Sequence, residues 1–268
     1  MGRWVGFLLI SGLLLAMPAE AAETPSLARA RELYNAGDYE GAIQAATPLQ
    51  RDRATADAAA LIMGRSQLER FRRGVDPGAL DTARLALSVV RPDQLTPSEQ
   101  TELLVGLGQA LFLTDGFGAA AELFDTALGR AQGLADRDRA QLLDWWATAL
   151  DRQAQSLPSA RRSAVYDRIA ARMEDVLRGE PGNGPANYWL AAASRGAGDP
   201  VRAWNAVVAG WVRATLNPAG VATIRADLDR LVGEALAVEV GRLRGGADPQ
   251  ESIAAVRGEW QLIKTQWP

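Results

Sequence analysis

The sequence predicts an all-α protein built from stacked antiparallel helix pairs. Three observations carry that expectation. Val, Ile and Thr are diluted by Ala and Leu, and few segments alternate apolar and polar residues with the period of two that a half-buried strand needs. Apolar residues recur instead at i, i+3, i+4 and i+7, the pattern of one helix face. Short Gly-containing segments separate consecutive helical runs, where a chain of packed helices must reverse direction.

Taken in order, residues 1–22 read as a secretion leader. Arg3 supplies a positive start, Trp4 to Met17 is apolar, Pro18 breaks the run, and Ala19-Glu20-Ala21 provides the small-x-small cleavage pattern. The run is short of the roughly 20 residues that span a bilayer. A cleaved leader is therefore expected, with the cut after Ala21 or Ala22, no membrane span in the mature chain, and a periplasmic or secreted location. A lipid-anchored form would need a Cys after the apolar run, and the sequence has none.

The first helix pair is expected at Ala30, Leu33 and Tyr34, a turn at Ala36-Gly37-Asp38-Tyr39, then Ala42, Ala46 and Leu49. Leu61 to Gly64 and Ala83, Leu87, Val90 suggest a second pair with a long linker, Arg70 to Gly78. A third has Leu104, Leu107 and Leu111, the turn Thr114-Asp115-Gly116-Phe117-Gly118, then Ala120, Leu123, Phe124 and Ala127. A fourth runs from Leu142 to Pro181, interrupted at Ser156-Leu157-Pro158-Ser159, with Ala147 and Leu150 on one helix and Ile169, Met173 and Val176 on the other. The fifth has Leu190, Ala191 and Ser194, the turn Gly196 to Pro200, then Ala203 and Val207. Ala219 to Trp267 reads as two or three further helices.

The series Leu107-Gly108, Leu111, Ala120, Phe124, Ala127 resembles the tetratricopeptide repeat, a helix–turn–helix unit of about 34 residues. Ala30, Leu33, Gly37-Asp38-Tyr39 and Ala42 are similar to it, with Ala46 in the aromatic place. Leu190-Ala191, Gly198-Asp199 and Ala203 are similar too, with Val207 in that place. The resemblance implies a right-handed helical-repeat solenoid of about five pairs over 23–218, closed by a C-terminal helical cap at 219–268. It implies a concave groove lined by Arg31, Asn35, Gln109, Phe112, Tyr188 and Arg195, and a partner that is another protein or peptide of the bacterial cell envelope. Relatives that clamp a peptide carboxylate use Lys at several of those places; this chain has one Lys, Lys264.

Composition narrows the chemistry. With no His and no Cys, the serine and cysteine hydrolase triads, imidazole zinc sites, disulfides and iron–sulfur clusters are excluded. A formal net charge of -3 argues against a nucleic-acid surface. No catalytic residue, cofactor or metal ligand set is expected. Asp136-Arg137-Asp138-Arg139 could serve a glycan-cutting carboxylate pair, yet it also reads as an acidic first helical turn. Glu251-Ser252 is similar to the catalytic pair of exported lytic transglycosylases, without their downstream motifs; Asp248-Pro249-Gln250-Glu251 also reads as a cap, a Pro at N1 and an acidic turn. Gly179 to Pro185 lacks the Lys-Ser/Thr of a phosphate loop. The cluster Arg65, Arg70-Phe71-Arg72-Arg73 could bind an anionic partner or complement a helix C-terminus. All seven Trp beyond the leader lie between Trp145 and Trp267. The expected function is an exported, non-enzymatic interaction scaffold. An accessory subunit docking through the Trp-rich end and a carboxylate enzyme on envelope glycans are the alternatives.

Overall fold

The computed structural model describes residues 26–130, 135–245 and 248–268. The leader at 1–22 lies outside the described residues. Within them every regular element is helical, the all-α class the sequence predicts. The helices are α1 (Leu27–Ala36), α2 (Tyr39–Ala46), α3 (Ala56–Arg72), α4 (Ala79–Ser88), α5 (Pro97–Phe112) and α6 (Phe117–Gly129). There follow α7 (Asp136–Gln155), α8 (Ser159–Gly179), α9 (Gly184–Gly196), α10 (Pro200–Arg213), α11 (Val221–Leu231), α12 (Ala237–Arg244) and α13 (Pro249–Gln266). No described helix is long and apolar enough to cross a membrane.

Local chemistry sets the boundaries. Ser26 and Asp38 cap α1 and α2 by accepting from the Arg29 and Gly41 N–H groups. Between them Gly37, at φ 80°, ends α1 in the left-handed conformation that a Cβ disfavours. Thr96 and Glu99 form a reciprocal capping box at the start of α5, with Pro97 at the first helical position. Asn183, Asp199 and Asp248 cap α9, α10 and α13. The expected C-terminal helices resolve into two bodies. A π-helical turn at Val232–Leu236 carries α11 directly into α12, and α13 follows separately.

Each short turn folds a helix back on its predecessor, so α1 packs on α2, α3 on α4, α5 on α6, α8 on α9 and α9 on α10. Missing side chains make these approaches close. A Cβ on Gly64 would come within 2.7 Å of Leu87, one on Gly108 within 2.6 Å of Phe124, and one on Gly196 within 2.6 Å of Tyr166. Small residues admit the backbone and a large neighbour fills the groove beside it. Alternate helices also touch: α1 on α3, α3 on α5, α7 on α9, and α9 on α11. Between α5 and α7 the contact is sparser, with Phe112 meeting Trp145, while α6 packs closely on α7.

Three apolar clusters result. A small one holds Ala30, Ala42, Ala46, Ala59 and Ile62. A second joins α3, α4 and α5 through Leu61, Leu68, Leu87 and Leu103. The largest runs from Ala120 to Trp260 and contains Phe124, Trp146, Met173, Val207 and Leu228. The Trp-rich end is mostly packed inward. Trp204 and Trp211 meet Trp260 edge-to-face at 6.1 and 5.2 Å, and of the described Trp residues only Trp267 is largely exposed, at 52%.

Candidate functional site

Two adjoining cavities follow the alternate helices. The first, about 700 Å³, lies where the contact between α5 and α7 is sparse. Tyr34 and Asn35 of α1, Arg65 and Arg72 of α3, Glu102 and Gln109 of α5, and Gln141 and Trp145 of α7 contribute to its walls. The second, about 1330 Å³, is bounded by α7 and α9, the stretch from Glu180 to Asn183, and α11 with the residues before it. Arg137 and Gln141 line both, so the two grooves adjoin at α7.

The first groove is polar and internally balanced. Arg65 pairs with Glu102 and lies over the Tyr34 ring at 4.6 Å. Arg72 pairs with Glu69 at 2.8 Å and lies over Trp145 at 4.9 Å. Arg73 covers the Tyr39 ring at 4.4 Å, and Arg70 reaches Glu40 at 3.3 Å. The basic cluster is thus neither a free anion site nor merely a solvated helix end: every guanidinium in it is held by a carboxylate or an aromatic face. Burial raises the Tyr34 phenol above its ordinary value, with nearby Arg65 partly opposing.

The second groove is acidic. Asp136, Asp144, Glu180 and Asp227 line it, against Arg137. Arg139, just outside, bridges Asp136 at 2.8 Å and Glu180 at 2.7 Å, and Arg230 reaches Asp227 at 3.3 Å. Asp144 accepts a 2.7 Å hydrogen bond from the Trp189 indole N–H and has no cationic partner among the described residues. Its carboxyl is held above the ordinary range by partial desolvation and by the charge of Asp227, with the Trp189 hydrogen bond opposing. The Tyr188 phenol is raised by burial and then by Asp227, Asp151 and Asp144. No group of three or more carboxylates among the described residues converges as a metal site.

Of the residues expected to line one concave face, the grooves hold Asn35 and Gln109 in the first and Tyr188 in the second. Neither groove is lined by Arg31, Phe112 or Arg195. Arg31 pairs with Glu99, tying α1 to α5. Phe112 packs edge-to-face on Phe117 at 5.2 Å and Trp145 at 5.4 Å. Arg195 makes a bidentate pair with Glu239, with Nε at 2.9 and 3.0 Å from its two oxygens. The adjacent Tyr188 and Trp189 divide as their helical offset predicts, Trp189 buried and Tyr188 half-buried toward the groove.

Sequence reasoning missed Arg137, Gln141 and Asp144 as lining residues. Their spacing of four and three was a usable signal: it places them on one face of α7, beside the buried stripe Leu142, Trp146, Leu150. Asp227 had no such sign, because its role depends on α11 returning beside α9. Among the acidic motifs, Asp138 lines the first groove, and Glu251 lies exposed in the first turn of α13, far along the chain from either lining. Comparison with known protein families, characterised proteins and solved structures finds none that matches the chain.

Proposed function

We propose that this chain is an exported, non-enzymatic helical-repeat scaffold, similar to tetratricopeptide repeat proteins, that holds a segment of another envelope or secreted protein. The observation that carries the reading is the origin of the groove walls. They come chiefly from α1, α3, α5, α7, α9 and α11, the first helix of successive pairs. In a helical-repeat stack the first helices share the concave side, so one continuous groove collects residues distant in sequence. The Gly-to-large contacts of Gly64 with Leu87 and Gly108 with Phe124, each within one helix pair, support the same repeat logic. The right-handed solenoid over 23–218, the cap at 219–268, and a periplasmic or secreted location after leader cleavage belong to this proposal. The inward packing of Trp204, Trp211 and Trp260 favours it over docking through a Trp surface.

Photo-crosslinking residues at Asn35, Gln141 and Tyr188, with exposed Leu85 on α4 as the control, test it in the native cell. The expected result is adducts from the groove positions in the exported fraction, on a chain whose N-terminus begins at residue 22 or 23. Adducts from Leu85 alone would remove the groove. An unprocessed, cytoplasmic chain would remove the export.

A further inference from the structure

The two grooves differ in a way that selects a partner. In the first, the charges of Arg65 and Arg72 are paired with Glu102 and Glu69 and lie over Tyr34 and Trp145, although the buried Nε of Arg65 has no hydrogen-bond partner. The second presents Asp144 of α7, Tyr188 of α9 and Asp227 of α11 from three separate helices around one cavity. Asp144 receives only the Trp189 indole, and the one cation paired with Asp227 among the described residues is Arg230, three residues on, at 3.3 Å and largely exposed. The Tyr188 ring meets Trp189 edge-to-face at 5.3 Å and is half-buried at the cavity wall.

We infer that the groove between α7, α9 and α11 takes an extended peptide segment through an Arg or Lys side chain, seated between Asp144 and Asp227 against Tyr188. This deepens the scaffold reading and rests on it. Opposite charges favour a cation between two carboxylates, and an aromatic face adds a further attraction for a guanidinium or ammonium. The carboxylates stand on different helices around a wide cavity and do not converge as a metal cage does, so a side chain brought in on a peptide fits better than a bare ion. The cavity, about 1330 Å³, has room for a peptide backbone as well as the anchoring side chain.

A displayed library of random 12-residue peptides, selected on the purified protein, tests this. Asp144→Asn and Asp227→Asn are the groove variants. Asp81→Asn, an exposed acid on α4, controls for net charge, and thermal unfolding confirms that all three are folded. The expected outcome is enrichment of Arg- or Lys-bearing peptides. Their affinity should fall about threefold to tenfold in each groove variant and with rising salt, and remain unchanged in Asp81→Asn. Enriched peptides that lack basic residues, or basic peptides unaffected by both groove variants, would overturn the inference while leaving a peptide-binding groove. No enrichment at all would count against the scaffold reading as well.

Discussion

At Gly108 a single hydrogen in place of a methyl group sets the distance between α5 and α6. An added Cβ would stand 2.6 Å from Cε1 of the fully buried Phe124, which cannot swing aside. Gly108→Ala should therefore lower stability by about 1–3 kcal/mol through overpacking. Gly258 on α13 has nothing within 4 Å of the same position. There Ala should stabilise by about 0.5–1 kcal/mol, since Gly is the weaker helix former. Denaturant titration of both variants checks the contrast; equal shifts would mean that helix propensity alone governs these sites. Asp57 makes a second residue-scale case. It is buried, and Arg91 donates to it from the backbone N–H at 2.8 Å and from Nη2 at 2.6 Å. The Arg91 side-chain hydrogen bonds hold its carboxyl below the ordinary carboxylate value, outweighing burial. A depressed value stabilises the fold fully above the unfolded-state pKa of about 3.9, and that contribution is lost as pH falls through the folded value. Thermal midpoints of the wild type should thus drop more steeply than those of Asp57→Asn below about pH 4. Parallel curves would show that the pair is energetically silent.

At the scale of one element, α13 shows how a terminal helix is secured. Its Trp260 is buried against Trp204 and Trp211 and donates its indole N–H to Asp229 at 2.7 Å. Lys264, one turn further on, reaches the same carboxylate at 2.8 Å. Burial pushes the Asp229 carboxyl up, but the bonds from Lys264 and Trp260 outweigh it and leave the group below its ordinary value. Behind them, the Trp267 carbonyl accepts from the Trp211 indole at 2.8 Å and from Arg225 at 3.1 Å. Trp260→Ala should cost about 3–5 kcal/mol, the range for truncating a large buried aromatic. Limited proteolysis should then cut first near residue 248. Unchanged cleavage would show that the carboxylate contacts hold α13 without the ring. On α5 the capping box makes a smaller prediction. Thr96→Ala should lose about 0.5–2 kcal/mol, measured by chemical denaturation.

Across the whole molecule, stability should rise along the chain, because the three apolar clusters differ in what they bury. The first holds four Ala and one Ile, whereas the third packs Phe124, Trp146, Trp189, Trp204 and Trp260 into one continuous body. Apolar stabilisation scales with buried area, at roughly 25 cal/mol per Å². Where alternate helices contact mainly near neighbours, local opening reflects local burial. Hydrogen exchange should therefore find α1 and α2 opening first and α7 to α10 last. Exchange of α9 amides as fast as those of α1 would mean that the clusters unfold as one unit.

The helices were legible in the sequence because their causes are local. Ser26, Asp38, Thr96, Asn183, Asp199 and Asp248 cap through atoms two or three residues away, and the 3.6-residue stripes mark the buried faces. The candidate site was legible only in part. Asn35, Gln109 and Tyr188 sit on the groove-facing sides of their helices, and periodicity suffices to place a residue on a side. Arg31, Phe112 and Arg195 share such sides, yet Glu99, Trp145 and Glu239 occupy them from helices far along the chain. The basic cluster was consumed in the same way by Glu102, Trp145, Glu40 and Tyr39. The sequence by itself determined which segments coil and which face each one buries. Tertiary structure alone decided which charges neutralise one another and which, like Asp144, are left facing an open groove. Ion pairing depends on distances between helices, and no spacing along the chain encodes those.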